Sequence, residues 1–165
     1  MGPFWTLEVT DPDRPALVSA QGGETSYRTL LQNAEAWADR LRALAGDFVP
    51  LVLLDFPTTG EAVAAYLGAL RAGFPVMLQE PGSSPPGSRI QQVWTPDIHR
   101  KAGAAGRLAA EARAGWRDAA WPPPHPDLAL LLSTSGSTGE PKMVRLSRRN
   151  IAANAASIAE YLGLS

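Results

Sequence analysis

The 165-residue chain has no cysteine, which excludes disulfides, thiolate catalysis and cysteine-based zinc or iron–sulfur sites. It has two histidines, His99 and His125. Neither has a ligand partner at metal-binding spacing or sits in an H-E-x-x-H pattern, so both read as surface or structural residues. An excess of either charge is also missing: 15 basic against 16 acidic residues give a net charge of -1. Without a basic field, nucleic acid is set aside as a partner. No apolar run approaches a membrane span, and Phe48–Phe56 is only strand-sized. The N-terminus shows no basic region followed by a hydrophobic segment, and Met1–Thr6 fits a myristoylation pattern only by chance. We therefore expect a cytoplasmic protein with no membrane partner.

What is present is ordinary for a globular domain: 45% hydrophobic and 19% charged residues, enough for one packed core. Pro15–Ser19 and Gln21–Glu24 read as a short hairpin turned by Gly22 and Gly23. Ser26 is placed to cap a helix whose Leu30, Ala34, Trp37, Ala38, Leu41 and Leu44 recur at helical spacing, with Gly46 as the stop. Asp11 and Asp13, among prolines, read as turn chemistry rather than a catalytic pair.

Val49–Leu54 is a continuous apolar run, Glu61–Ala72 a helix and Phe74–Leu78 a second run, which together read as a right-handed βαβ unit. The fold class expected is α/β, a parallel-containing sheet with flanking helices. Thr58-Thr59-Gly60, at a strand's carboxyl end, lies where open α/β sheets bind ligands, but helix capping explains the same residues. Residues 80–88 read as a mobile Pro/Gly/Ser surface loop and 121–126 as a stiff Pro-rich connection. Between them, Ile90, Val93 and Trp94 suggest a helix start, and the alanine-rich run 102–114 has no clear period.

The chemistry concentrates in Leu130–Lys142. Gly136 and Gly139 free the backbone to turn its amides inward as an anion nest. Thr134, Ser135, Ser137 and Thr138 add rotatable hydroxyl donors, and Lys142 adds a full positive charge on a flexible stem. Every group donates and none is a base. A Walker P-loop is excluded, since Pro141 stands where its second glycine belongs and Met143 where its Ser or Thr belongs. The following Lys142–Ser147 reads as a strand, so the loop joins two strands. Ser147 then caps a helix through Leu162, with Ile151, Ala155, Ile158, Ala159 and Leu162 on one stripe and Gly163 as the stop. Arg145, Arg148 and Arg149 lie nearby and read as solvated.

Thr134–Lys142 resembles the phosphate-binding signature of the adenylate-forming, or AMP-binding, superfamily, which comprises acyl-CoA synthetases, peptide-synthetase adenylation domains and luciferase. The match covers every specified position of Thr/Ser-Ser-Gly-Ser/Thr-Thr-Gly-x-Pro-Lys, with Met143 where glycine commonly follows. The opening hairpin and the Ser26-Tyr27-x-x-Leu30 helix start are similar to the family's opening. The resemblance implies coupling of a carboxylic acid to ATP, with Mg2+, to give an acyl-adenylate and pyrophosphate. Transfer to CoA or to a carrier-protein phosphopantetheine usually follows. It assigns ATP phosphate binding to Thr134, Ser135, Gly136, Ser137, Thr138, Gly139 and Lys142. The family's adenine pocket, ribose acid, magnesium-binding Glu and mobile lid lie downstream of the signature. Residues 1–165 are thus expected to be an N-terminal subdomain, inactive alone, completed by further polypeptide or by a second chain. Two alternatives stay open: a non-catalytic interaction module, and a free-standing phosphate- or nucleotide-binding domain.

Overall fold

The computed structural model describes residues 3–55, 58–79, 96–100, 108–112, 124–134 and 142–163. After a single helical turn at Phe4–Thr6, the chain forms a separate antiparallel hairpin, β1 (Pro15–Val18) and β2 (Glu24–Ser26). Gly22 turns it at φ +81°, a value that a Cβ would disfavour. Ser26 then caps α1 (Tyr27–Ala45), its hydroxyl accepting from the Thr29 amide at 3.2 Å. The helix buries Leu30, Ala34, Trp37, Ala38, Leu41 and Ala45. Each large apolar side chain so buried contributes about 1.5–3 kcal/mol, while the cap contributes about 1. Packing therefore outweighs capping in fixing α1.

β3 (Val52–Asp55), α2 (Gly60–Arg71) and β4 (Val76–Gln79) form the expected unit, with β3 and β4 parallel. Both strands begin later than the apolar runs suggest. Pro50 and Pro75 carry no amide to donate, and the ladder opens where the Val52 amide donates to the Pro75 carbonyl at 2.8 Å. Close packing of α1 on α2 is possible because position 68 is glycine. A Cβ built there would lie 2.6 Å from the Trp37 Cβ and 2.7 Å from the Ala34 carbonyl oxygen.

Among the described residues the main sheet has six strands in the order β6-β5-β3-β4-β7-β8. β5 (Pro96–Arg100) runs parallel to β3, and β6 (Leu108–Ala112) pairs antiparallel with β5. The alanine-rich run without period thus contains a strand. Alanine has little preference for strands, and pairing with β5 supplies what local propensity does not. Ile90, Val93 and Trp94, loop 80–88 and residues 121–123 lie outside the described residues.

β7 (Leu128–Thr134) is parallel to β4 and antiparallel to β8 (Lys142–Ser147), which leads directly into α3 (Arg148–Leu162). Alternate side chains of the strands face two cores. Val52, Leu54, Val76 and Leu130 join the large one with α1 and α2, while Leu51, Leu53 and Met77 form a smaller one, against which Leu131 and Met143 pack. α3 differs from α1 and α2 in burying no residue fully. Ile151 touches the large core, yet Ile158 is 50% and Leu162 58% exposed.

Candidate functional site: the β7–β8 hairpin

The β7–β8 register places Thr134 directly opposite Lys142. The signature is therefore flanked by two paired strands, as the sequence pattern suggested. Ser135, Gly136, Ser137, Thr138 and Gly139 lie outside the described residues, and the structure locates the two positions that frame them. Thr134 is exposed at the end of its strand. Because β7 is parallel to β4, and β4 to β3, the loop springs from the carboxyl edge of the sheet, the edge at which open α/β folds bind ligands.

The N-terminus of α2 lies at that same edge, following β3. There the Thr59 hydroxyl accepts from the Ala62 amide at 3.2 Å, so this turn is a helix cap. Gly60 and Glu61 also line an open cleft of about 580 Å³ with Thr25, Asn33, Trp37 and Arg40. This cleft arises from the packing of α1 on α2 and had no signature in sequence.

Asp11 accepts from the Asp13 amide at 3.1 Å, a local turn. Asp13 pairs with the Arg28 guanidinium at 2.7 and 2.8 Å, and these hydrogen bonds hold its carboxyl below the usual carboxylate range. The ring of His125 accepts from the Asp127 amide at 3.2 Å, again a local turn. His99 sits in β5. Among the described residues no group of three or more His, Asp or Glu is arranged to hold a metal. No described helix is long and apolar enough to cross a membrane.

The three arginines part company. Arg145 and Arg149 are exposed. Arg148 is not solvated as expected: it is half-buried, its Nη1 donates to the Leu70 carbonyl at 3.0 Å, and its guanidinium lies 5.7 Å from the centre of the Trp5 ring. Burial pulls its pKa below the ordinary guanidinium value. Six residues of extended chain separate it from Lys142, roughly 20 Å. It therefore belongs to the opposite end of the hairpin and adds nothing to the field at the loop.

Comparison with known proteins agrees with this geometry. Residues 88–164 match the family of AMP-binding enzymes. The chain is 36% identical over 154 residues to phenyloxazoline synthase MbtB of Mycobacterium tuberculosis, covering 87% of this chain and 11% of that protein. It is 31% identical over 176 residues to pyochelin synthetase PchF of Pseudomonas aeruginosa, covering 93% and 9%. Apo MatB from Rhodopseudomonas palustris shares its fold, with a TM-score of 0.72 at 22% identity, covering 96% of this chain and 37% of that one. MatB with ATP bound superposes with a TM-score of 0.66 at 24% identity. The chain belongs to the adenylate-forming superfamily and corresponds to an N-terminal portion of such an enzyme. It spans about a tenth of the length of these two curated relatives.

Proposed function

We propose that this chain supplies the ATP phosphate-binding hairpin of a carboxylic acid adenylating enzyme. The observation that carries the reading is the pairing of Thr134 with Lys142, which gives the signature loop a fixed two-strand base at the sheet's carboxyl edge. In the proposed reaction a substrate carboxylate attacks the α-phosphorus of ATP, forming an acyl–O–phosphorus bond and expelling pyrophosphate. A thiol, from CoA or a carrier-protein phosphopantetheine, then displaces AMP to give a thioester. The chain's own part is electrostatic. Amides and hydroxyls of 134–139 donate to the β and γ oxygens, and the Lys142 ammonium offsets charge that grows on the departing pyrophosphate. The ATP complex of MatB, a protein of the same fold, supports ATP as the ligand. Mg2+ accompanies ATP in the family. Among the described residues no group of three or more His, Asp or Glu is arranged to hold it.

Further polypeptide completes the domain in this reading, in the same chain or as a second one. Support comes from the exposed Ile158, Tyr161 and Leu162 on α3, and from β8, which pairs only with β7 among the described residues. The test is calorimetric titration of ATP into the 165-residue protein and its Ser135→Ala/Lys142→Ala variant. Weak binding that the substitutions abolish is expected. Absence of binding to both proteins would favour the interaction module. The same protein should release no pyrophosphate from ATP across a panel of carboxylic acids, and steady release would overturn the need for a completing partner.

A further inference from the structure

We propose that Arg148 and Trp5 are positioning residues that clamp the base of the β7–β8 hairpin to the α1–α2 core, and so hold the phosphate loop at its far end in register. β7 is held by its ladder to β4 and by Ala129 and Leu130 in the large core, whereas the outer half of the hairpin is held less firmly. β8 is an edge strand with one described neighbour, and the helix that follows it buries nothing fully. At the β8–α3 corner the contacts change character. The Arg148 amide donates to the Asp127 carbonyl at 3.0 Å, closing the hairpin's open end. The Arg148 side chain crosses to the Leu70 carbonyl, in the last turn of α2, at 3.0 Å. That carbonyl is at the negative end of a helix, where a cation is favoured.

Trp5 forms the floor beneath this guanidinium, and Trp5 is itself held. It sits in a single helical turn, Phe4–Thr6, closed by Leu7 in the left-handed region at φ +54°, where a leucine is uncommon. Arg71 binds that turn by donating to the Trp5 carbonyl at 2.8 Å and the Thr6 carbonyl at 3.0 Å, and is itself paired with Glu35 of α1. An N-terminal strap is thereby pinned to α1 and α2 by one arginine and presents its indole to the other.

The choice of arginine at 148 is costly for stability alone. Among the described residues its buried Nη2 finds no hydrogen-bond partner and no carboxylate pairs with it. An apolar side chain of similar length would avoid that desolvation. What the guanidinium adds is direction, since its one bond and one stacked face fix where the corner sits.

This separates a positioning role from a merely structural one. In Arg148→Met the overall urea midpoint should be unchanged or raised, while amides of β8 and the first turn of α3 exchange about tenfold faster relative to those of β3 and β4. Trp5→Leu should give the same selective exchange with a lowered midpoint, because Trp5 packs against the large core, and Arg148→Lys, which keeps the bond but not the flat face, should be intermediate. A Leu41→Ala control should lower the midpoint without selective exchange at β8. The clamp is overturned if β8 exchange is unchanged in Arg148→Met, or if exchange rises uniformly. Its link to the loop rests on the ATP reading and is read separately: ATP affinity should fall about threefold to tenfold in Arg148→Met, and equal affinity would refute it. If the unaltered protein binds no ATP, the phosphate-loop reading fails, while the exchange data still decide the clamp.

Discussion

Substituting Gly68 by alanine sets two effects of opposite sign against each other. In an exposed helix interior the change would stabilise by about 0.8–1 kcal/mol, because glycine gives up more backbone freedom than alanine. At this position the new methyl would meet the Ala34 carbonyl oxygen at 2.7 Å and the Trp37 Cβ at 2.6 Å, with the Ala38 nitrogen at 3.1 Å. These are backbone or backbone-proximal atoms, which no rotamer change can remove, so α1 and α2 must part by roughly 1 Å or bend, as in other overpacked cores. Overpacking costs typically about 1–3 kcal/mol, and the upper part of that range applies where nothing flexible can yield. The net expectation is a loss of about 1–2 kcal/mol once the propensity gain is subtracted. For a domain of this size that lowers the thermal midpoint by about 3–6 °C. Gly60→Ala is the internal control, since its methyl would meet only the Leu17 Cδ1 at 3.4 Å and the Thr25 hydroxyl at 3.9 Å. It should be neutral or mildly stabilising. Calorimetric melts of the three proteins decide the matter, and a Gly68→Ala midpoint at or above that of the unaltered protein would refute the packing account.

Two other outcomes follow from burial and exposure. Burial raises the Tyr66 hydroxyl above its ordinary pKa, so the unfolded chain loses this proton first, from about pH 10 upward. Its contribution is fully present below that pH and is lost as pH climbs through the folded value. Urea midpoints at about pH 8 and about pH 11 should therefore fall more for the unaltered protein than for Tyr66→Phe, and parallel falls would contradict this. Exposed Ile158 and Leu162 should make the 165-residue protein self-associate with rising concentration, and Ile158→Glu/Leu162→Glu should relieve it. A monomer stable across dilution, by light scattering, would count against an uncovered α3 face.

Much of this fold is legible where one physical signal dominates locally. The α1 stripe, with Ser26 before it and Gly46 after it, needs only helical period and end chemistry, and both appear in place. The same holds for α3, where Ser147 and Asn150 exchange hydrogen bonds in a capping box and Gly163 ends the helix at φ +64°. The hairpin around the phosphate signature is legible because excluding a helix after Lys142 leaves only a strand. What sequence could not supply is non-local. β6 exists through its neighbour β5, not through its alanines. Arg148 reads as one of three surface arginines until Trp5 and Leu70, distant in sequence, are brought beneath it. The cleft beside α2 has no motif because it is the space left between two helices.

The parallel pairing of β7 with β4 has a consequence for how the chain reaches this state. Val76 pairs with Leu130 across an intervening stretch of more than fifty residues, whereas β1 to β4 and the two helices between them join through short links. Ring closure over such a span comes late relative to nearby contacts, because its entropy is lost before any ladder forms. During synthesis on the ribosome, the segment ending at Gln79 would emerge and condense first, with one flank of β4 bare. Until Leu128–Leu132 is translated, that bare flank is where a neighbouring nascent chain or a chaperone would find backbone to bind.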